Sequence, residues 1–102
     1  MNVNEYGIIF VLGVSYDLSS MTNLSITFNK PDGTTLTVAT PDVTISATPI
    51  DTTKGTFAAN TYALYTFAVG DVDPAGDWTA RLTATKVGVR LISDVASFTV
   101  SD

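Results

Sequence analysis

Leu24-Ser25-Ile26-Thr27-Phe28-Asn29-Lys30-Pro31-Asp32-Gly33-Thr34-Thr35-Leu36-Thr37-Val38 is the stretch whose reading decides the fold class. Leu24, Ile26 and Phe28 alternate with Ser25, Thr27 and Asn29, the period of two that buries one face of a strand and wets the other. Lys30-Pro31-Asp32-Gly33 then reads as a turn, because Pro presets φ, Asp bonds its own backbone and Gly accepts positive φ. Alternation resumes at Leu36 and Val38. The unit is strand, turn, strand.

Working outward, the same grammar recurs. Thr40-Pro41-Asp42 is a second turn signal, and Val43, Ile45 and Ala47 form a third alternating set closed by Pro49. Thr52-Thr53-Lys54-Gly55 reads as a loop. Thr61 to Val69 reads as a strand with two competing phases, one burying Tyr62, Leu64 and Thr66, the other Ala63, Tyr65, Phe67 and Val69. The second phase is favoured toward its C-terminal end. Gly70 to Gly76 is a long loop dense in turn formers, and Trp78, Ala80, Leu82 and Ala84 follow as a clean alternating strand. After Lys86-Val87-Gly88 the pattern slips between Leu91-Ile92 and Phe98-Val100, which predicts a β-bulge. At the other end, Tyr6 to Tyr16 is almost continuously apolar, broken by Gly7 and Gly13. Such a run is either covered on both faces or bends at the glycine.

Seven or eight short strands separated by turn signals predict an all-β, two-sheet antiparallel β-sandwich filling residues 1–102 as one domain. Its expected core is Leu24, Ile26, Phe28, Leu36, Val38, Trp78, Leu82 and Phe98. Composition agrees: 45% of the 102 residues are hydrophobic and 15% charged, which excludes both a disordered chain and a solvated helical rod. A net charge of −5 argues against a nucleic-acid partner. With no Cys there is no disulfide framework, and with no His the commonest general base and zinc ligand are missing. Met1 to Tyr6 lacks the basic region of a signal peptide, and Gly7 to Val14 is too short to span a bilayer. The expectation is a soluble chain made in a cytoplasm, with no membrane partner.

Few residues offer chemistry. Asp71, Asp73 and Asp77 form the one acidic cluster, but their spacing serves turns better than the six to eight oxygens a calcium ion collects. Glu5 is the only Glu, and no Ser or Thr has an activating base in sight. The expectation is no enzyme, no metal and no cofactor. The aromatics remain: Tyr6, Tyr16, Tyr62, Tyr65 and Trp78 cannot all fit one small core, and amphipathic rings at a surface mark contact patches. Trp78 belongs to the core by its phase. Tyr62 and Tyr65 are candidate exposed rings. Tyr6, Ile8, Ile9 and Phe10 complete the candidate interface, because Tyr6 to Tyr16 has no charge and no Pro to blunt a sheet edge.

Two stretches carry a resemblance. Gly70 to Ala84 resembles the E–F corner and F strand of immunoglobulin-like sandwiches, whose antibody-type pattern is Asp-x-Gly-x-Tyr-x-Cys. Gly76, Trp78 and Ala80 fall at its Gly, Tyr and Cys places. Trp stands for the corner Tyr, Ala80 leaves no inter-sheet disulfide, and Asp73 is displaced by one residue. The ordered set of Lys30 to Thr34, Gly70 to Trp78, and Phe98 with Val100 is similar to small Ig-like structural proteins of tailed bacteriophages. That resemblance implies a virion component of head, neck, tail or baseplate, made in the host cytoplasm. Its partners would be other virion proteins, in a homo-oligomer or multicopy assembly. A fold does not fix a function. The alternative expectation is a carbohydrate- or host-surface-binding module that uses exposed aromatics and loops.

Overall fold

The structure is a computed structural model that describes residues 1–102 and contains strands and turns but no helix. Its strands are β1 (Ile9–Gly13), β2 (Asn23–Asn29), β3 (Thr35–Ala39), β4 (Thr44–Ile45), β5 (Ile50–Thr52), β6 (Gly55–Phe57), β7 (Tyr62–Thr66), β8 (Gly76–Lys86), β9 (Val89–Ile92) and β10 (Ala96–Val100). One antiparallel sheet has the order β1–β7–β4. The other has the order β10–β8–β2–β3, with β9 pairing farther along β8. β5 and β6 form a separate hairpin.

The opening stretch of the sequence becomes the β2–β3 hairpin, in register from Ser25↔Ala39 to Asn29↔Thr35. Asp32 closes the turn by accepting bonds from both the Thr34 hydroxyl and the Thr34 N–H, and Gly33 takes a φ of 86°. Those two bonds hold the Asp32 carboxyl below the usual carboxylate range. Across the β2–β8 pair, Phe28 lies beside Ala80 and Leu24 beside Ala84, while Ile26 meets Leu82. Large residues set beside small ones leave room for the facing sheet to interdigitate. That sheet supplies Leu12, Ala63 and Tyr65, joined by Phe67 just beyond β7. Phe28 sits among five rings, from Phe10 at 5.1 Å to Trp78 at 6.3 Å between centroids.

The slip of phase near the C-terminus is a bulge. Between the pairs Ile92↔Thr83 and Ala96↔Ala80, three residues (Ser93, Asp94, Val95) oppose two (Arg81, Leu82). Ser93 repairs the ladder there: its N–H donates to the Leu82 carbonyl, and its Oγ accepts the Leu82 N–H at 2.9 Å.

Several expectations need correction. The strands number ten and not seven or eight, because the region read as the loop Thr52–Gly55 is the turn of the β5–β6 hairpin and the bulge splits β9 from β10. Leu36, Val38 and Phe98 are only half-buried, since β3 and β10 are sheet edges with a neighbour on one side. Val43 is fully buried, but its alternating set shrinks to Thr44–Ile45 and Ala47 is exposed. Val69, placed inside by phase, is 77% exposed because β7 ends at Thr66 and the chain turns away. Leu18 and Val72, each flanked by Asp in a loop, are fully buried and seal the ends of the core. Their signal was a lone apolar residue inside a polar turn.

Candidate interaction surface

The candidate residues part company in the structure. Tyr6, Ile8 and Ile9 are exposed, at 64%, 38% and 60%. Phe10 turns inward to Phe28, Phe67 and Phe98. Tyr62 and Tyr65 are buried, a correction to the exposed pair expected of them. The two face opposite sides of β7, and each has something to cover it. Tyr65 enters the core, where its hydroxyl donates to the Asp71 carboxylate. Burial, that hydrogen bond and the nearby charge of Asp71 push the Tyr65 phenol up to about 12. Tyr62 lies on the outer side, packs against Phe57 of the β5–β6 hairpin at 6.4 Å, and donates to the Thr48 carbonyl. Both phases of this strand are apolar because both of its faces are covered.

Asp71 also accepts the Ala68 N–H at 2.8 Å, which makes it a loop cap. Asp77 accepts the Thr99 hydroxyl at 3.1 Å. The acidic loop therefore does not converge: no three carboxylates of the chain come together.

β1 stands at the edge of its sheet, with β7 as its sole neighbour. Its register runs Ile9↔Thr66 through Gly13↔Tyr62. The flanking bonds from Val14 N–H to the Thr61 carbonyl and from Phe67 N–H to the Ile8 carbonyl share that register. Antiparallel pairing alternates, so Phe10 and Leu12 exchange bonds with Tyr65 and Ala63. Ile9, Val11 and Gly13 point both N–H and C=O away from β7. Three residues thus present an open hydrogen-bonding edge.

A cleft runs along that edge. Its first part, about 370 Å³, has β1 itself as floor and Thr52–Lys54, Phe57 and Ala96 as walls. Its second part, about 340 Å³, continues past Gly13 to Tyr16 and is walled by Phe57 and the Ile92–Asp94 bulge. The absence of a side chain at Gly13 admits the Phe57 ring, since a Cβ there would lie 2.7 Å from it. Lys54 is the only charged residue lining the first part and Asp94 the only one lining the second. Near the second part, burial and the Asp94 charge raise the Tyr16 phenol, whose hydroxyl is buried without a hydrogen-bond partner. Two further apolar residues lie exposed by the bulge, Ile92 and Val95, each at 49%.

The two outer faces differ in kind. That of the larger sheet carries Ser25, Thr27, Thr37, Thr79, Arg81 and Thr83 and is mostly polar, with Ala39 and Ile92 as apolar exceptions toward its margins. The β1 flank exposes Tyr6, Ile8 and Ile9, while Val69 and Val87 stand exposed singly in the turns after β7 and β8. Comparison with known protein families, with curated proteins and with solved structures finds no match to this chain. Of the six candidate residues only Ile9 and Phe10 line the cleft, and sequence reasoning missed its walls. The signal for them was Phe57, a lone large ring in an otherwise polar stretch, together with a glycine at position 13 of an apolar run.

Proposed function

We propose that this chain is a non-enzymatic Ig-like module that docks on other proteins of a bacteriophage particle through the β1 flank. The observation that carries the fold half of this reading is strand order. In Ig-like sandwiches strand E lies between B and D, and F lies between G and C, with C′ beyond C in the variable type. Setting β1 as B, β2 as C, β3 as C′, β4 as D, β7 as E, β8 as F and the interrupted β9–β10 as G reproduces B–E–D facing G–F–C–C′. Trp78 supports the same assignment. It stands near the start of β8, and its Nε1–H donates back to the Pro74 carbonyl at 2.9 Å, as a corner tyrosine does in such domains. The chain departs from the pattern in its β5–β6 hairpin and in having no A strand beside β1.

The virion half rests on the ordered resemblance of Lys30–Thr34, Gly70–Trp78 and Phe98–Val100. A protein-contact role is favoured over a glycan-binding one because Tyr62 and Tyr65, the rings on which a sugar would stack, lie beneath the surface. Mass spectrometry of particles purified from the phage or prophage that encodes the chain tests this reading. Stoichiometric presence of the chain supports it. Absence from particles, with the chain found free in the lysate, overturns it.

A further inference from the structure

We propose that the open edge of β1 receives an extended segment of another polypeptide, added antiparallel as a fourth strand of the β1–β7–β4 sheet. The inference rests on the docking reading above and names its surface and the chemistry of its occupant. Ile9, Val11 and Gly13 offer paired N–H and C=O groups at the spacing of an antiparallel ladder, which is what strand addition needs. The occupant enters between two walls. Its side chains on one face meet Phe57 and Ile9, and those on the other meet Ala96. Both walls are apolar at those points, so the segment is rich in β-branched or apolar residues on both faces.

Charge sets its direction. Lys54 lies by the Ile9–Gly13 part of the cleft and Asp94 by the Gly13–Tyr16 part. A strand antiparallel to β1 begins beside Asp94 and ends beside Lys54, so a basic residue early and an acidic residue late complement the cleft. A second copy of this chain fits less well. Strands pair at about 4.7–4.9 Å, and each copy carries its own hairpin turn and bulge beside the edge. Two such edges meet wall to wall, whereas a lone strand has no walls.

The test uses the full chain and the capped synthetic peptide Arg-Val-Thr-Val-Thr-Val-Thr-Glu, beside a twin with Arg and Glu exchanged. The expected result is binding that slows hydrogen exchange at the Ile9, Val11 and Gly13 amides. The matched peptide binds about fivefold more tightly than the twin. Val11→Pro removes an outward N–H that β7 does not use, so it abolishes binding while leaving the fold. Lys54→Glu weakens preference for the matched peptide and serves as the check should Val11→Pro fail to fold. Equal affinity for both peptides, unchanged exchange, or binding retained by a folded Val11→Pro overturns the proposal. So does a dimer in sedimentation that Val11→Pro dissociates, which assigns the edge to a second copy. Particle incorporation that survives Val11→Pro overturns this inference and leaves the docking reading standing. Absence from particles overturns the docking reading whatever the peptides do, and the peptide and exchange results judge the open edge by themselves.

Discussion

The alternation of Trp78 with Ala80, Leu82 and Ala84 predicts a core position for it, and all four are fully buried. Its ring packs on Phe28 and Phe98, and the Lys30 ammonium lies 5.0 Å from the ring centroid. Trp78→Ala removes the largest fully buried side chain and is expected to cost about 3–5 kcal/mol. Urea denaturation reads that loss directly; a variant that unfolds at the parent's midpoint would take Trp78 out of the core. Tyr65 was less legible, because the sequence around it is apolar in both phases and says nothing of what covers the second. Its phenol now gives a pH signature. The folded chain holds this proton to about 12, while the unfolded chain releases it near 10.0. Stability is therefore full below pH 10.0 and falls as pH rises toward 12. Tyr65→Phe should flatten that alkaline decline, leaving the shallower part due to Tyr16, whose phenol is also raised. A decline as steep in Tyr65→Phe as in the parent would place its cause elsewhere.

Among the elements, those with one wet face were read correctly from period alone: β2, β3 and β8 each alternate as written. The bulge was readable too, as a change of phase, although the residue that makes it stable was not. Ser93 is 8% exposed and uses its hydroxyl to accept the Leu82 N–H from the middle of β8. Ser93→Ala leaves that buried donor without its acceptor, and the expected cost is about 1–3 kcal/mol. The Leu82 amide should then exchange faster than its neighbours. Unchanged protection there would show that the Ser93 hydroxyl carries no weight in the ladder. The β5–β6 hairpin escaped the sequence for a physical reason. Ile50 and Phe57 are its only large apolar residues, and each of its strands has three residues, too few to show a period. Its fold depends on the surface it covers, Gly13 and Tyr62, and not on a pattern of its own.

At the scale of the whole molecule, two antiparallel sheets share one core, and their flanks are unequal. The N-terminal residues are held away from β1: Asn2 bridges Ser101 in parallel, and the Asn4 N–H donates to the Val72 carbonyl. The long apolar run from Tyr6 to Tyr16 left two readings open, a strand covered on both faces or one at an edge. The structure has it at the edge, with Phe10 and Leu12 turned to the core and Ile9 and Val11 turned out. No period in the sequence could decide this, because it depends on which strands lie beside β1. Docking through the β1 flank depends on that open edge. Residue-resolved amide hydrogen exchange of the free chain tests it most directly. Slow exchange at Phe10 and Leu12, alternating with fast exchange at Ile9, Val11 and Gly13, is the predicted result. Slow exchange at all five would mean that the edge of β1 is already covered, and would contradict the account.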